Sequence, residues 1–116
     1  MDFEDFLNIS KTEHDSLSVQ HAYVDMTGDL IAGIVLSEIV RLHKILHRGD
    51  SEWIAIRRYE WWDIARITPP QADRALKILV DKGLINKEVH MFQGNPTTHI
   101  RLVEPVFLSL LEKLGV

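Results

Sequence analysis

The chain contains no cysteine among its 116 residues, which excludes disulfide bonds, thiolate nucleophiles and cysteine-based zinc sites. It also lacks an apolar run long enough for a membrane span, since the densest stretch, residues 30 to 46, is interrupted by Glu38 and Arg41. The first ten residues begin with acids and lack the basic region and apolar core of a secretory signal. We therefore expect a cytoplasmic protein that does not span a membrane.

The motifs of common catalytic and metal sites are absent as well. The sequence has no HExxH pair, no glycine-rich phosphate loop and no GxSxG motif. His43 and His47 have the i, i+4 spacing of two metal ligands, but the sequence places no carboxylate with them, and the helix dipole accounts for histidines near a helix C-terminus. We predict that the protein is not an enzyme and holds no metal or cofactor.

The length allows one domain, and charged residues are unevenly distributed along it. Hydrophobic residues make up 46% and charged residues 26%, which is typical of a globular chain. The net charge is −4, but residues 1 to 30 carry seven acids against Lys11 alone, so the remainder has a small basic excess. We assign residues 1–25 to an acidic, irregular arm with room for a helical turn near residues 4 to 8, and residues 26–116 to the domain.

A strong helix is predicted over about residues 28 to 47. Thr27 offers an N-cap oxygen and Asp29 lies in the first turn. Apolar residues recur at steps of three and four, namely Leu30, Ile31, Ile34, Val35, Ile39, Leu42, Ile45 and Leu46. Leu36 and Val40 widen this stripe beyond what a one-sided helix needs, and the last helix is similarly rich in leucine. We therefore predict a homodimer that buries the excess.

A short strand and two short helices follow the turn at residues 48 to 51. The β-branched and aromatic residues 53–57 predict the strand, and residues 59–65 the first helix. The adjacent Trp61 and Trp62 predict one core residue and one half-exposed neighbour. The next helix is capped by Thr68 and ends at Gly83. Its predicted apolar face is Ala72, Ala75, Leu76, Leu79 and Val80, and the residues pointing away are Gln71, Arg74, Lys77, Ile78 and Asp81.

Two extended runs and one helix complete the chain. Residues 84–92 and 97–103 flank the turn Gln93-Gly94-Asn95-Pro96, which predicts a β-hairpin. His90 and His99 lie in its strands, where we expect them to pack across the ladder. An amphipathic helix is predicted over residues 105–114.

Together these elements resemble a winged helix-turn-helix domain. The resemblance is carried by residues 59–68, by residues 74–85 and by the wing tip at residues 93–96, and it covers about residues 28 to 103. The stretches GDLIAGIVLSEIVRLH, WIAIRRYEWWDIA and FQGNPTTHIRL are similar to small winged-helix proteins of phage and mobile-element replication and regulation. The resemblance implies an α+β fold, mostly α, with a winged helix-turn-helix, an N-terminal arm and an extra C-terminal helix.

The resemblance also implies a set of DNA contacts. In this family the third helix, which corresponds here to residues 68–82, enters the major groove, and the wing follows the backbone. On the helix these are Thr68, Gln71, Arg74, Lys77 and Ile78, and on the wing Lys87, Gln93 and Asn95. Gln71 suits an adenine edge and Arg74 a guanine edge, whereas lysines suit phosphates. Arg57 and Arg58, just before the predicted helix at residues 59–65, are candidate clamps on the DNA backbone.

Two hypotheses for the function follow. Residues 57 to 101 carry eight Lys or Arg against five acids, which favours salt-sensitive, sequence-specific binding of double-stranded DNA by a small transcriptional regulator or mobile-element replication protein. Pro69, Pro70 and Asp73 depart from the family pattern where DNA contacts are usual. The net acidity and Asp73 favour the alternative, a winged-helix protein-interaction module without DNA binding. Under either hypothesis the acidic arm has the charge to lie over the basic face and compete with DNA.

Overall fold

A computed structural model describes residues 2–5, 19–46 and 53–115. Its helices and strands are α1 (His21–Thr27), α2 (Leu30–Leu46), β1 (Ile54–Ala55), α3 (Glu60–Ala65), α4 (Pro69–Asp81), β2 (Ile85–Phe92), β3 (Asn95–Leu102) and α5 (Glu104–Lys113). The strands form one antiparallel sheet in the order β1-β3-β2. The predicted class, α+β and mostly α, is confirmed, and none of the described helices is long and apolar enough to cross a membrane.

Helix α1 lies where the sequence predicted an irregular arm, so that prediction is wrong for residues 21–25. A helix of seven residues makes only two turns, which is too short for a sustained apolar period. The helix packs closely against α2 at Gly33, where an added Cβ would lie 2.7 Å from Cγ2 and 2.9 Å from Cα of Val24. Residues 3–5 are helical, while the rest of the predicted turn at residues 4–8, the turn at 48–51 and His47 lie outside the described residues.

Asp29, not Thr27 as predicted, caps helix α2. Thr27 ends α1, and its hydroxyl donates a hydrogen bond to the carbonyl oxygen of Tyr23 at 2.9 Å. The Oδ2 atom of Asp29 accepts a hydrogen bond from the backbone N–H of Ala32 at 2.9 Å. This backbone bond, followed by the Arg74 guanidinium, lowers the pKa of Asp29. The carboxylate therefore stabilises the fold in its ionised form.

We expect this cap to make stability depend on pH. Because the folded-state pKa of Asp29 lies below its unfolded value, its ionic contribution is complete at neutral pH and is lost as pH falls through the lowered pKa. Asp29→Asn keeps a capping oxygen but does not titrate, so its deficit relative to wild type in urea unfolding should shrink as pH falls from 7 to about 2. Asp29→Ala should cost about 1 kcal/mol through loss of the cap. A pH-independent difference between wild type and Asp29→Asn would contradict the ionic role.

One hydrophobic core lies between the helices and one face of the sheet. Its buried members include Val35, Leu36, Ile39, Val40, Ile54, Ile56, Trp61, Ile67, Ala75, Leu79, Leu84, Ile85, Ile100, Leu102 and Phe107. Leu36 and Val40 are buried within a single chain, so the argument that they require a second copy is wrong. By contrast, Leu108 on α5 and Leu114, the residue that follows this helix, are exposed.

Strands β2 and β3 form the predicted hairpin, and they are joined by a tighter turn than the sequence predicted. Phe92 pairs with Asn95, so the turn consists of Gln93 and Gly94 alone. Both have positive φ, 50° and 80°, as the central residues of a type I′ turn require. Because β1 pairs only with His99 and Ile100, the tip of the hairpin extends beyond it.

Candidate nucleic-acid interface

Helix α4 begins at a capping box that uses two of the predicted DNA contacts. The Oγ1 atom of Thr68 accepts a hydrogen bond from the backbone N–H of Gln71 at 3.4 Å, and Oε1 of Gln71 accepts one from the N–H of Thr68 at 2.9 Å. This reciprocal pair fixes the helix start, and Pro69 fits the first turn because its missing N–H has no helical partner. Gln71 would have to release the cap to present its oxygen to a base.

The outer face of α4 carries Arg74 and Lys77, as predicted, but not Ile78. Arg74 and Lys77 are exposed, whereas Ile78 is half-buried and packs against the core. Val80, assigned by the sequence to the apolar face, is instead 39% exposed. The two residues lie at opposite edges of the apolar stripe, and the sequence assigned the wrong edge to the core.

Both cations of this face are paired with carboxylates. Arg74 Nη1 donates to Oδ1 of Asp29 at 3.0 Å, which ties α4 to the start of α2. Lys77 Nζ donates to Oδ2 of Asp81 one turn further along α4, also at 3.0 Å. Asp29 belongs to the predicted domain and not to the arm at residues 1–25, so this pair leaves the proposed covering of the basic face by the arm a prediction.

Arg58 makes the most extensive ion pair of the region. Its Nε donates to Oδ1 and Oδ2 of Asp73 at 3.0 and 2.9 Å, and its Nη2 to Oδ2 at 2.7 Å. The hydrogen bonds from Arg58 are the largest influence lowering the pKa of Asp73, and the charge of Lys87 lowers it further. In turn, Asp73 raises the pKa of Arg58. Asp73 thus lies in the combined field of Arg58, which precedes α3, and Lys87, which lies on β2.

A groove of about 420 Å³ separates the residues before α3 from the tip of the β2–β3 hairpin. It is lined by Arg57, Arg58, Tyr59, Asn95, Pro96, Thr97 and Thr98. Arg57 Nη2 donates across to Oε1 of Gln93 at 3.3 Å, and Asn95 Nδ2 donates to the backbone oxygen of Gln93 at 3.4 Å. The structure thereby brings together four predicted contacts, Arg57, Arg58, Gln93 and Asn95. Tyr59 also lines this groove but was not among the predicted contacts, although its position beside two arginines was a usable signal.

Three of the described histidines contact other side chains, and these are His43, His90 and His99. His43 Nε2 lies 2.6 Å from Oε1 of Glu104, which links α2 to the start of α5. His90 and His99 are in contact as predicted, with ring centroids 4.7 Å apart, as diagonal neighbours on β2 and β3. Within residues 2–5, 19–46 and 53–115, no three His, Asp or Glu side chains come together as a metal site.

The chain matches no protein-family model, and no curated protein is significantly similar to it.

Proposed function

We propose that this protein binds double-stranded DNA as a winged helix-turn-helix domain and acts as a small transcriptional regulator or mobile-element replication protein. The observation that carries the proposal is the convergence of Arg58, Lys87 and the first turn of α4 on one surface, beside the groove at the wing tip. The element order from α2 to β3 supports it, because it resembles that of winged-helix domains. Helix α4 would then enter the major groove.

Each part of this surface has a distinct role in the proposal. Arg74 and Lys77, exposed on α4, face the duplex, with Arg74 at a base edge and Lys77 at a phosphate. The groove between Tyr59 and Asn95 takes the sugar-phosphate backbone, with Arg57 as its cation. The wing lies along the adjacent backbone.

A homodimer would place two such surfaces on a palindromic site. Leu36 and Val40 are buried within one chain and do not support this prediction, so the homodimer is proposed without an assigned interface. Once one copy is bound, the second contact of a dimer is intramolecular, so the dimer would bind far more tightly than a single copy.

The proposal is tested by selecting duplexes from a random pool and measuring fluorescence anisotropy on the selected site. Arg74→Ala should weaken specific binding by about 1–3 kcal/mol and relax the base preference. Lys77→Ala should weaken all sequences alike and reduce the salt slope by about 1. Lys113→Ala on α5 removes the same charge away from this surface and is the matched control. Equal effects from all three variants would contradict the proposed docking.

A second candidate, a protein-interaction module, is favoured by one observation. Arg58, Arg74 and Lys77 are all paired with carboxylates of the same chain, which leaves less net positive charge for phosphates. Wild-type protein that binds no duplex at about 50 mM salt, where phosphate contacts are strong, would favour this candidate.

A further inference from the structure

The carboxylate of Asp73 has surroundings that would suit a DNA phosphate. It accepts hydrogen bonds from Nε and Nη2 of Arg58 through both oxygens. A small cavity beside it is lined by Arg58 and Lys87 and by residues of α3 and α4. A phosphate has the same charge sign and offers the same paired oxygens to a guanidinium.

Asp29 holds a second interface cation in the same manner. Its two oxygens are divided, since Oδ2 accepts from the N–H of Ala32 and Oδ1 accepts from Arg74. Releasing Arg74 would therefore leave the cap of α2 intact. DNA can therefore replace Asp29 as the partner of Arg74 without unfolding α2.

We propose that Asp73 acts as an internal phosphate mimic on Arg58 and that Asp29 holds Arg74 in the free protein, and that both carboxylates are displaced when duplex DNA binds, Arg58 then contacting a phosphate and Arg74 a base edge. This inference rests on the proposed DNA-binding function and adds a regulatory element to it. Sequence-independent attraction is reduced because the cations are neutralised until a duplex fits closely enough to replace both carboxylates.

Displacement has a signature in the salt dependence of binding. A cation that neutralises a phosphate releases condensed counterions, which gives a slope of about 0.9 in log K against log salt for each contact. A carboxylate set free by the same exchange attracts cations from solution and offsets part of that release. The wild-type slope should therefore be smaller than the number of phosphate contacts predicts.

The test compares wild type with Asp73→Asn and Asp29→Asn by anisotropy on one random-sequence duplex at about 50, 100 and 200 mM salt, the range in which phosphate contacts weaken steeply. Both substitutions keep the size of the side chain, and Asn at residue 29 retains a capping oxygen. The Arg58–Asp73 pair is 60% and 52% exposed, so its loss should leave the thermal midpoint nearly unchanged. Glu112→Gln, exposed on α5, is the control for net charge.

We expect Asp73→Asn to lower Kd about tenfold at the lowest salt and to steepen the salt slope by about 1. Asp29→Asn should act in the same direction, and Glu112→Gln should change neither quantity appreciably. If wild type binds the duplex but Asp73→Asn has the same Kd and salt slope as wild type or Glu112→Gln, the displacement is overturned and the DNA-binding function remains. Absence of binding by both wild type and Asp73→Asn would overturn the function itself.

Discussion

Replacing Trp61 by alanine is expected to lower the free energy of unfolding by about 3–5 kcal/mol, the largest loss we predict for any single side chain. Trp61 is only 1% exposed and lies on α3 within the core that joins this helix to α4 and the sheet. Its removal would leave a cavity that neighbouring side chains fill only in part. Urea unfolding followed by circular dichroism measures the effect.

The adjacent Trp62 provides the matched control for this substitution. It is 48% exposed, and its ring lies 5.5 Å from the guanidinium carbon of Arg66. Trp62→Ala should therefore cost at most about 1 kcal/mol. Trp61→Phe retains much of the buried apolar area and gives an intermediate loss that stays measurable if the alanine variant unfolds. Equal losses at Trp61 and Trp62 would contradict the packing of α3.

Gly33→Ala should destabilise the protein by about 1–3 kcal/mol, although alanine is the better helix former by about 1 kcal/mol. The added methyl group would lie 2.7 Å from Cγ2, 2.9 Å from Cα and 3.0 Å from the backbone N of Val24. Two of these three atoms belong to the main chain, so a rotamer change cannot relieve the contact. Helix α1 would have to move away from α2.

A double substitution separates the two parts of this contact. Val24→Ala in the Gly33→Ala background removes the side-chain clash but leaves the main-chain clash. It should therefore restore little of the lost stability in urea unfolding. Stabilisation by Gly33→Ala alone would show that α1 does not lie against α2 as described.

Sequence patterns predicted the elements whose ends are fixed by interactions between residues close together in the chain. Thr68 and Gln71 form a capping box within four residues, and Gly83 follows α4 with a φ of 74°. Helix α4 was accordingly predicted to within a residue or two of its observed bounds. Helix α1 was missed because its stability comes from contact with α2 rather than from its own seven residues.

The pairing of the interface residues could not be predicted in the same way. Arg58 and Asp73 are 15 residues apart, Arg74 and Asp29 are 45 apart, and these partners meet only because the fold brings them together. Ile78 and Val80 were assigned wrongly for a similar reason. Their spacing defines an apolar stripe on α4, but the element packed against α4 decides which edge of that stripe is buried. The candidate contacts were therefore predictable as residues, and their electrostatic environment was not.

The most direct test of DNA binding by α4 and the wing is to titrate isotope-labelled protein with its selected duplex and map the backbone amide shifts by NMR. We predict the largest shifts in residues 68–82, at Arg57 and Arg58, at Lys87, and in the wing tip at residues 93–96, with small shifts in α5. Shifts confined to α5, or no shifts at about 50 mM salt, would contradict it.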